Sequence, residues 1–181
     1  MVELSLHVLD IVQNSIEAGA TEVRVTVRDR PDERSIVLAV DDNGRGMDPE
    51  FVERVTDPFV TTRTTRKVGL GLPLLKQVAQ ASGGDMDIVS TKGKGTTVRA
   101  HFLRDNIDTP PLGDIPSSLA VAIATDPRVR FVYRYEGAKG AFEFDSFQVA
   151  ELLGDVPVSE PSVVQWIKEY LKQKTREVSG G

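Results

Sequence analysis

The sequence predicts an α/β chain whose helices alternate with antiparallel strand pairs, on three observations. Leu4, Val8, Ile11, Val12 and Ile16 recur with the period of a helix over 3–19. Val23, Val25 and Val27 alternate with polar residues. After the turn Arg30-Pro31-Asp32 comes the unbroken apolar run Ile36-Val37-Leu38-Ala39-Val40, so these two strands are expected to pair antiparallel. A second amphipathic helix opens at Gly69-Leu70-Gly71-Leu72 and carries Leu74, Leu75, Val78 and Ala79 as far as Gly83-Gly84. It leads into strand-like segments at 86–90 and 96–103, joined by Lys92-Gly93-Lys94-Gly95.

Each element has its own local grammar. Gly19 stops the first helix, because glycine enters the left-handed region without a Cβ clash. At about 100° per residue, His7, Asp10, Asn14 and Glu17 form a stripe about 80° wide opposite the apolar side, either a solvated face or one turned to a ligand. Asp48-Pro49 is the start of a short helix bearing Phe51, Val52 and Val55. From 57 to 68 the periodicity gives way to a polar, basic loop with Thr61, Thr62, Arg63, Thr64, Thr65, Arg66 and Lys67. Pro110, Pro111, Gly113 and Pro116 interrupt any regular element. The chain is therefore divided into a unit over 1–104, a linker over 105–118 and a small α+β unit over 119–181. The last unit reads as a short helix at 119–124, a hairpin of 130–135 and 141–145, and helices at 147–153 and 161–174. Val129, Phe131, Tyr133, Phe142, Phe144, Phe147, Leu152, Leu153 and Trp166 are expected to be its own small core, with docking or homodimer formation as its role.

Composition removes several function classes. With 181 residues, 40% of them hydrophobic, the chain is long enough for a packed core. A net charge of −5 and aromatics at 6% argue against a nucleic-acid binder, which needs a basic face for phosphate contacts. The absence of cysteine removes disulfides, thiolate metal sites and thiol nucleophiles, and two histidines make zinc improbable. Met1-Val2-Glu3-Leu4 lacks a basic leader, and no apolar stretch approaches the roughly 20 residues that span a bilayer, so a cytoplasmic chain with no membrane partner is expected.

The chemistry gathers on four segments. Asp42 stands at the end of the apolar run, where a carboxylate can accept a hydrogen bond from an exocyclic amine such as adenine N6, while Gly44 and Gly46 let the chain turn and a flat ring approach. Asp-Asn-Gly is also ordinary turn chemistry. Asn14 offers a neutral amide oxygen suited to Mg²⁺, which prefers few protein ligands beside phosphate oxygens and water. Gly69-Leu70-Gly71 opens a helix whose free N–H groups and dipole favour polyphosphate. Arg63, Arg66, Lys67 and Lys94 can add cations, and Thr96 or Thr97 can place a hydroxyl near Asp42. Together these point to ATP with Mg²⁺.

In order and spacing, Asp10 and Asn14, Asp42-Asn43-Gly44-Arg45-Gly46-Met47, Asp57-Pro58-Phe59-Val60-Thr61-Thr62, Gly69-Leu70-Gly71-Leu72 and Gly93-Lys94-Gly95-Thr96-Thr97 resemble the boxes of the GHKL, or Bergerat-fold, ATP-binding superfamily. The catalytic domain of sensor histidine kinases is the most similar branch. The resemblance covers 1–104 and implies a two-layer α/β sandwich, with helices on one face of a mixed sheet. It further implies Asn14 as the magnesium ligand, Asp42 as the adenine acceptor assisted by Thr96, and Gly44, Gly46, Gly69 and Gly71 shaping the pocket; Lys94, a cation in the Gly-Lys-Gly turn, is expected with Asp10 as a catalytic group. Met47, Phe59, Thr61, Thr62, Arg63, Leu70, Leu72 and Thr97 complete its nucleotide-binding set.

Asp10 stands where hydrolytic relatives carry a glutamate, one methylene longer. It is left either as a general base or as a group that orients the metal's water shell. His7 is expected on the polar face near the nucleotide, and His101 in a strand with a structural role. The first helix begins at the chain start, so a stand-alone domain without a phosphoacceptor hairpin is expected, acting on a protein partner. The leading expectation is histidine-kinase-type transfer of the γ-phosphoryl group to that partner. An ATP-hydrolysing switch and an anti-sigma-type serine kinase that binds a regulator are its rivals.

Overall fold

The computed structural model describes residues 2–57 and 71–180. In chain order they form α1 (Leu4–Glu17), β1 (Glu22–Arg30), a 3-10 turn (Pro31–Glu33), β2 (Ser35–Asp42), α2 (Pro49–Val55), α3 (Gly71–Ala81), β3 (Asp85–Thr91) and β4 (Gly95–Leu103). Then follow α4 (Ile115–Thr125), β5 (Arg130–Gly137), β6 (Gly140–Asp145), α5 (Ser146–Leu153) and α6 (Pro161–Ser179). The strands make one mixed sheet in the order β3-β4-β2-β1-β5-β6. Only β1 and β5 run parallel; the other four neighbouring pairs are antiparallel.

The strand period of two gives the sheet one apolar and one polar face. Val25 stands opposite Val40 on β2 and Tyr133 on β5, and Val27 opposite Leu38 and Tyr135. All six are buried in a single core with Leu4, Val8, Leu75, Ile123, Ile167 and Leu171 of the helices. α1 packs on β1 and β2, α3 on β3 and β4, and α6 on β5 and β6, while α4 bridges α1 and α6. The other face carries exposed charges, with Arg24–Glu143 at 3.1 Å and Arg28–Glu136 at 3.6 Å. Such surface pairs contribute about 0–1 kcal/mol each, so the sandwich is held by its helix-covered face.

The C-terminal segment departs from the expectation of a separate unit with its own core. Phe131, Tyr133 and Phe144 enter the common cluster, because β5 pairs with β1 and brings its apolar face under the same helix layer. Phe147, Leu152 and Trp166 remain substantially exposed. The expected linker is also part of the fold: Leu4 N donates to Pro111 O and Ser5 N to Leu112 O, both at 2.9 Å. These bonds satisfy N–H groups that α1 leaves open at its start. α4 begins at Ile115 rather than near 119. Pro116 in a first turn forfeits no helical hydrogen bond, and the Asp114 side chain accepts from Ser117 N at 3.0 Å.

Candidate functional site

β2 positions the central carboxylate. Ile36, Leu38 and Val40 are buried beneath the helices, and Asp42 is the next residue on that face, where the apolar surface ends. Its two oxygens are tied separately: Ser15 Oγ donates to Oδ2 at 2.6 Å and Gly44 N donates to Oδ1 at 2.8 Å. A carboxylate oxygen has two lone pairs, so both retain capacity for a further donor. Thr96 faces Asp42 across the β2–β4 ladder, but its hydroxyl lies 2.8 Å from Ser90 Oγ, which also accepts from Met47 N at 2.8 Å. Ser90, Thr96 and Asp42 thus form a polar row on the helix side of three strands. Thr97, one residue on, falls on the opposite face and donates to Asp41 Oδ1 at 2.6 Å.

The loop after Asp42 is seated against the end of α1. Asn43 Oδ1 accepts from Thr21 N and Glu22 N, and Arg45 N and Nη2 donate to Ala18 O and Glu17 O, both at 2.9 Å. A Cβ on Gly44 would stand 2.9 Å from Ala18 O. Gly46 has φ +69°, and a Cβ there would fall 2.1 Å from Thr91 O. Two glycines expected to make room for a ligand are therefore also required by the protein's own backbone.

The stripe on α1 is partly buried rather than uniformly solvated. His7 is 6% exposed and Asp10 is exposed, with Asn14 between these extremes. Burial pulls the His7 imidazole below its ordinary pKa, against a smaller upward pull from Asp10, so the ring is neutral at pH 7. Gly71, which opens α3, meets this stripe: a Cβ on it would lie 3.3 Å from Asp10 Cβ and 3.8 Å from Asp10 Oδ2. Leu72 is buried and anchors the first turn of α3 in the core, while Met47 is half-buried against it. Lys94 is exposed in the β3–β4 turn. Phe59, Thr61, Thr62, Arg63, Arg66, Lys67, Gly69 and Leu70 lie outside the described residues.

The donor set fits a nucleotide with a hard cation. Asn14 Nδ2 is buried without a hydrogen-bond partner, and as an N–H donor it awaits an acceptor such as a phosphate oxygen, while a cation would take the amide oxygen. Among the described residues no group of three or more His, Asp or Glu could hold a metal by itself, so a cation at Asn14 requires phosphate oxygens to complete its shell.

The family model described as histidine kinase-, DNA gyrase B-, and HSP90-like ATPase matches residues 2–106. The chain belongs to this family. Its fold is that of a GHKL ATP-binding domain, a mixed six-stranded sheet under a helix layer. A putative sensor protein of Shewanella frigidimarina (strain NCIMB 400) is 36% identical over 102 residues, 55% of this chain and 16% of the relative. The sensor protein kinase FleS of Pseudomonas aeruginosa is 44% identical over 89 residues, 49% of this chain and 22% of the relative. The chain thus spans about a sixth to a fifth of the length of these GHKL relatives. The solved Aquifex aeolicus MutL ATPase domain complexed with ADP aligns with 98% of this chain and 69% of its own, at TM-score 0.50 and 18% identity, a likeness of fold. Among the described residues no helix is long and apolar enough to cross a membrane.

Sequence reasoning missed Ser15 and Ser90. Ser15 lies four residues after Ile11 on the buried side of α1, and a lone hydroxyl in an apolar stripe is the signal that was available. Ser90 gave no such sign.

Proposed function

We propose that this GHKL domain binds Mg-ATP between the α1 stripe, the end of β2 and the start of α3, and transfers the γ-phosphoryl group to a partner protein. The observation that carries the reading is Asp42, a carboxylate tied by Ser15 and Gly44 at the edge of the apolar face, with lone pairs left over. In this reading Asp42 accepts the adenine amine and Asn14 Oδ1 holds magnesium. The N–H groups opening α3 beside Asp10 receive phosphate oxygens. Bound magnesium supplies charge neutralisation to the triphosphate. Lys94, with Arg63, Arg66 and Lys67 of the sequence, supplies further cations, and Phe59, Thr61, Thr62, Gly69 and Leu70 complete the nucleotide set. The ADP complex of the MutL neighbour and the sensor-kinase relatives support nucleotide binding and transfer respectively. A cytoplasmic location, a protein phosphoacceptor and homodimer formation belong to the same proposal.

The test is transfer of label from γ-labelled ATP to a candidate partner, with acid treatment of the product. Acid-labile label on the partner is expected for phosphohistidine, whereas acid-stable label identifies the serine-kinase alternative. Label released solely as free phosphate would exclude transfer. One observation favours a second reading, an ATP-hydrolysing switch: the Asp10 carboxylate stands beside Gly71, where phosphates are expected. Under that reading Asp10→Asn abolishes steady phosphate release while leaving ATP binding intact.

A further inference from the structure

Among the described residues, two side-chain atoms are buried without a hydrogen-bond partner, His7 Nε2 and Asn14 Nδ2. Both lie on α1. At about 100° per residue, a spacing of seven returns to within about 20° of the same line along a helix. Buried polar atoms are paired in the great majority of cases, so each orphan asks for a partner. Two on one line, with Asp10 between them, ask for a shared one. In the nucleotide reading Asn14 Nδ2 finds its acceptor in the ligand's phosphates, whereas His7 has been given none.

The axis of α1 orders the site from one end to the other. Near its C-terminal end Ser15 holds Asp42, and Ala18 meets Gly44, which is where adenine is placed. Asp10 lies about 7.5 Å back along the helix from Ser15 and faces Gly71, where α3 opens to phosphate. His7 lies about one further turn on, roughly 12 Å from Ser15 along the axis. A nucleotide with its base at Asp42 and its phosphates towards Gly71 therefore runs along α1 in the direction of His7. A neutral imidazole carries one N–H, which suits a terminal phosphate oxygen, or a water bound to it, without adding charge.

Building on that nucleotide reading, we propose that His7 is a binding residue for the terminal phosphate, and that it makes the site distinguish a nucleoside triphosphate from a diphosphate. An apolar residue at this buried position would pack without leaving an orphan. The imidazole is explained by a ligand that pairs with it.

The test uses the whole chain with Mg²⁺ and either ADP or a non-hydrolysable ATP analogue. Calorimetry is expected to show that His7→Phe weakens the analogue roughly tenfold and ADP less than twofold, and that His7→Gln recovers part of the loss. In a His101→Gln background His7 is the only imidazole, and its ¹⁵N resonances are expected to move with the analogue and stay in place with ADP. Equal loss for both nucleotides in His7→Phe overturns the proposal. So do His7 resonances indifferent to the third phosphate, a measurement that needs no substitution at position 7. Asp42→Ala separates the two levels. If it leaves both affinities intact, the nucleotide reading itself fails; if it abolishes binding while His7 ignores the triphosphate, the His7 inference alone fails.

Discussion

Ser15→Ala tests whether the site carboxylate is held by α1. The substitution deletes the hydroxyl that donates to Asp42 Oδ2 at 2.6 Å, from a residue 2% exposed, and leaves no large cavity. A hydrogen bond to a charged acceptor contributes about 1.5–3 kcal/mol net. Two terms reduce that figure here. Asp42 is half-buried, so water can replace the lost donor, and alanine is favoured over serine in a helix by about 0.5 kcal/mol. The expected loss is about 1–2 kcal/mol. For a domain of this size that lowers Tm by about 2–8 °C, at about 2–4 °C per kcal/mol. With one tie gone, Asp42 keeps only the Gly44 N–H to aim it, and ATP affinity is expected to fall by up to about tenfold. Differential scanning calorimetry of Ser15→Ala, Asp42→Ala and the double variant closes a thermodynamic cycle, with a coupling of about 1 kcal/mol or more expected. Single effects that add to within about 0.3 kcal/mol would show that this bond carries no energy, and the account of how Asp42 is oriented would fail.

Three further outcomes are expected. Gly46→Ala places a Cβ 2.1 Å from Thr91 O at φ +69°, whereas Gly93→Ala at φ +82° meets nothing within 4 Å. Both incur the left-handed penalty of about 1–2 kcal/mol, but Gly46→Ala also displaces β3, so its urea midpoint should fall clearly further; equal shifts would contradict the close approach. Phe131→Ala, at a side chain 2% exposed, is expected to cost about 3–5 kcal/mol and to raise hydrogen exchange in 23–27 as well as in β5. Exchange confined to residues beyond 118 would mean two independent cores. The Arg130 guanidinium, foremost, and the Phe147 N–H hold the Asp145 carboxyl below its ordinary pKa. The unfolded chain then binds the proton more readily. This stabilisation is complete above the unfolded carboxylate value, about pH 4, and is lost as pH falls through the folded one. The stability gap between wild type and Asp145→Asn should therefore narrow from pH 6 to pH 3, and a constant gap would refute the pairing.

What the sequence revealed of the fold follows the range of the interaction involved. α1, β1 and β2 are written in local periods, and the short connection at Arg30-Pro31-Asp32 made the antiparallel pairing of β1 with β2 legible. The parallel pairing of β1 with β5 joins Val23 to Phe131, and no local period records a contact over that distance. The prolines misled for a related reason. Proline breaks a helix interior and fits a helix first turn equally well, and the difference lies in the Asp114 cap and in the α1 N–H groups that residues 111 and 112 satisfy.

The glycines around the site pose the sharper question, because residue type alone does not say what a glycine makes room for. The sequence offers Gly44 and Gly46 as room for a sharp turn and a flat ring, and Gly95 as part of the turn that joins β3 to β4. Each proves to admit a backbone carbonyl as well, at Ala18, Thr91 and Asp42 in turn. At Gly95 a Cβ would stand 1.9 Å from the carbonyl of the very residue whose side chain is the proposed adenine acceptor. The same absence of a side chain that lets the start of β4 lie close beside the end of β2 thus fixes the backbone from which that carboxylate projects. It follows that substitution at these glycines will lower nucleotide affinity through the placement of Asp42, with ADP and the triphosphate affected alike. A change at His7 should affect the triphosphate alone, and that contrast separates shaping of the pocket from recognition within it.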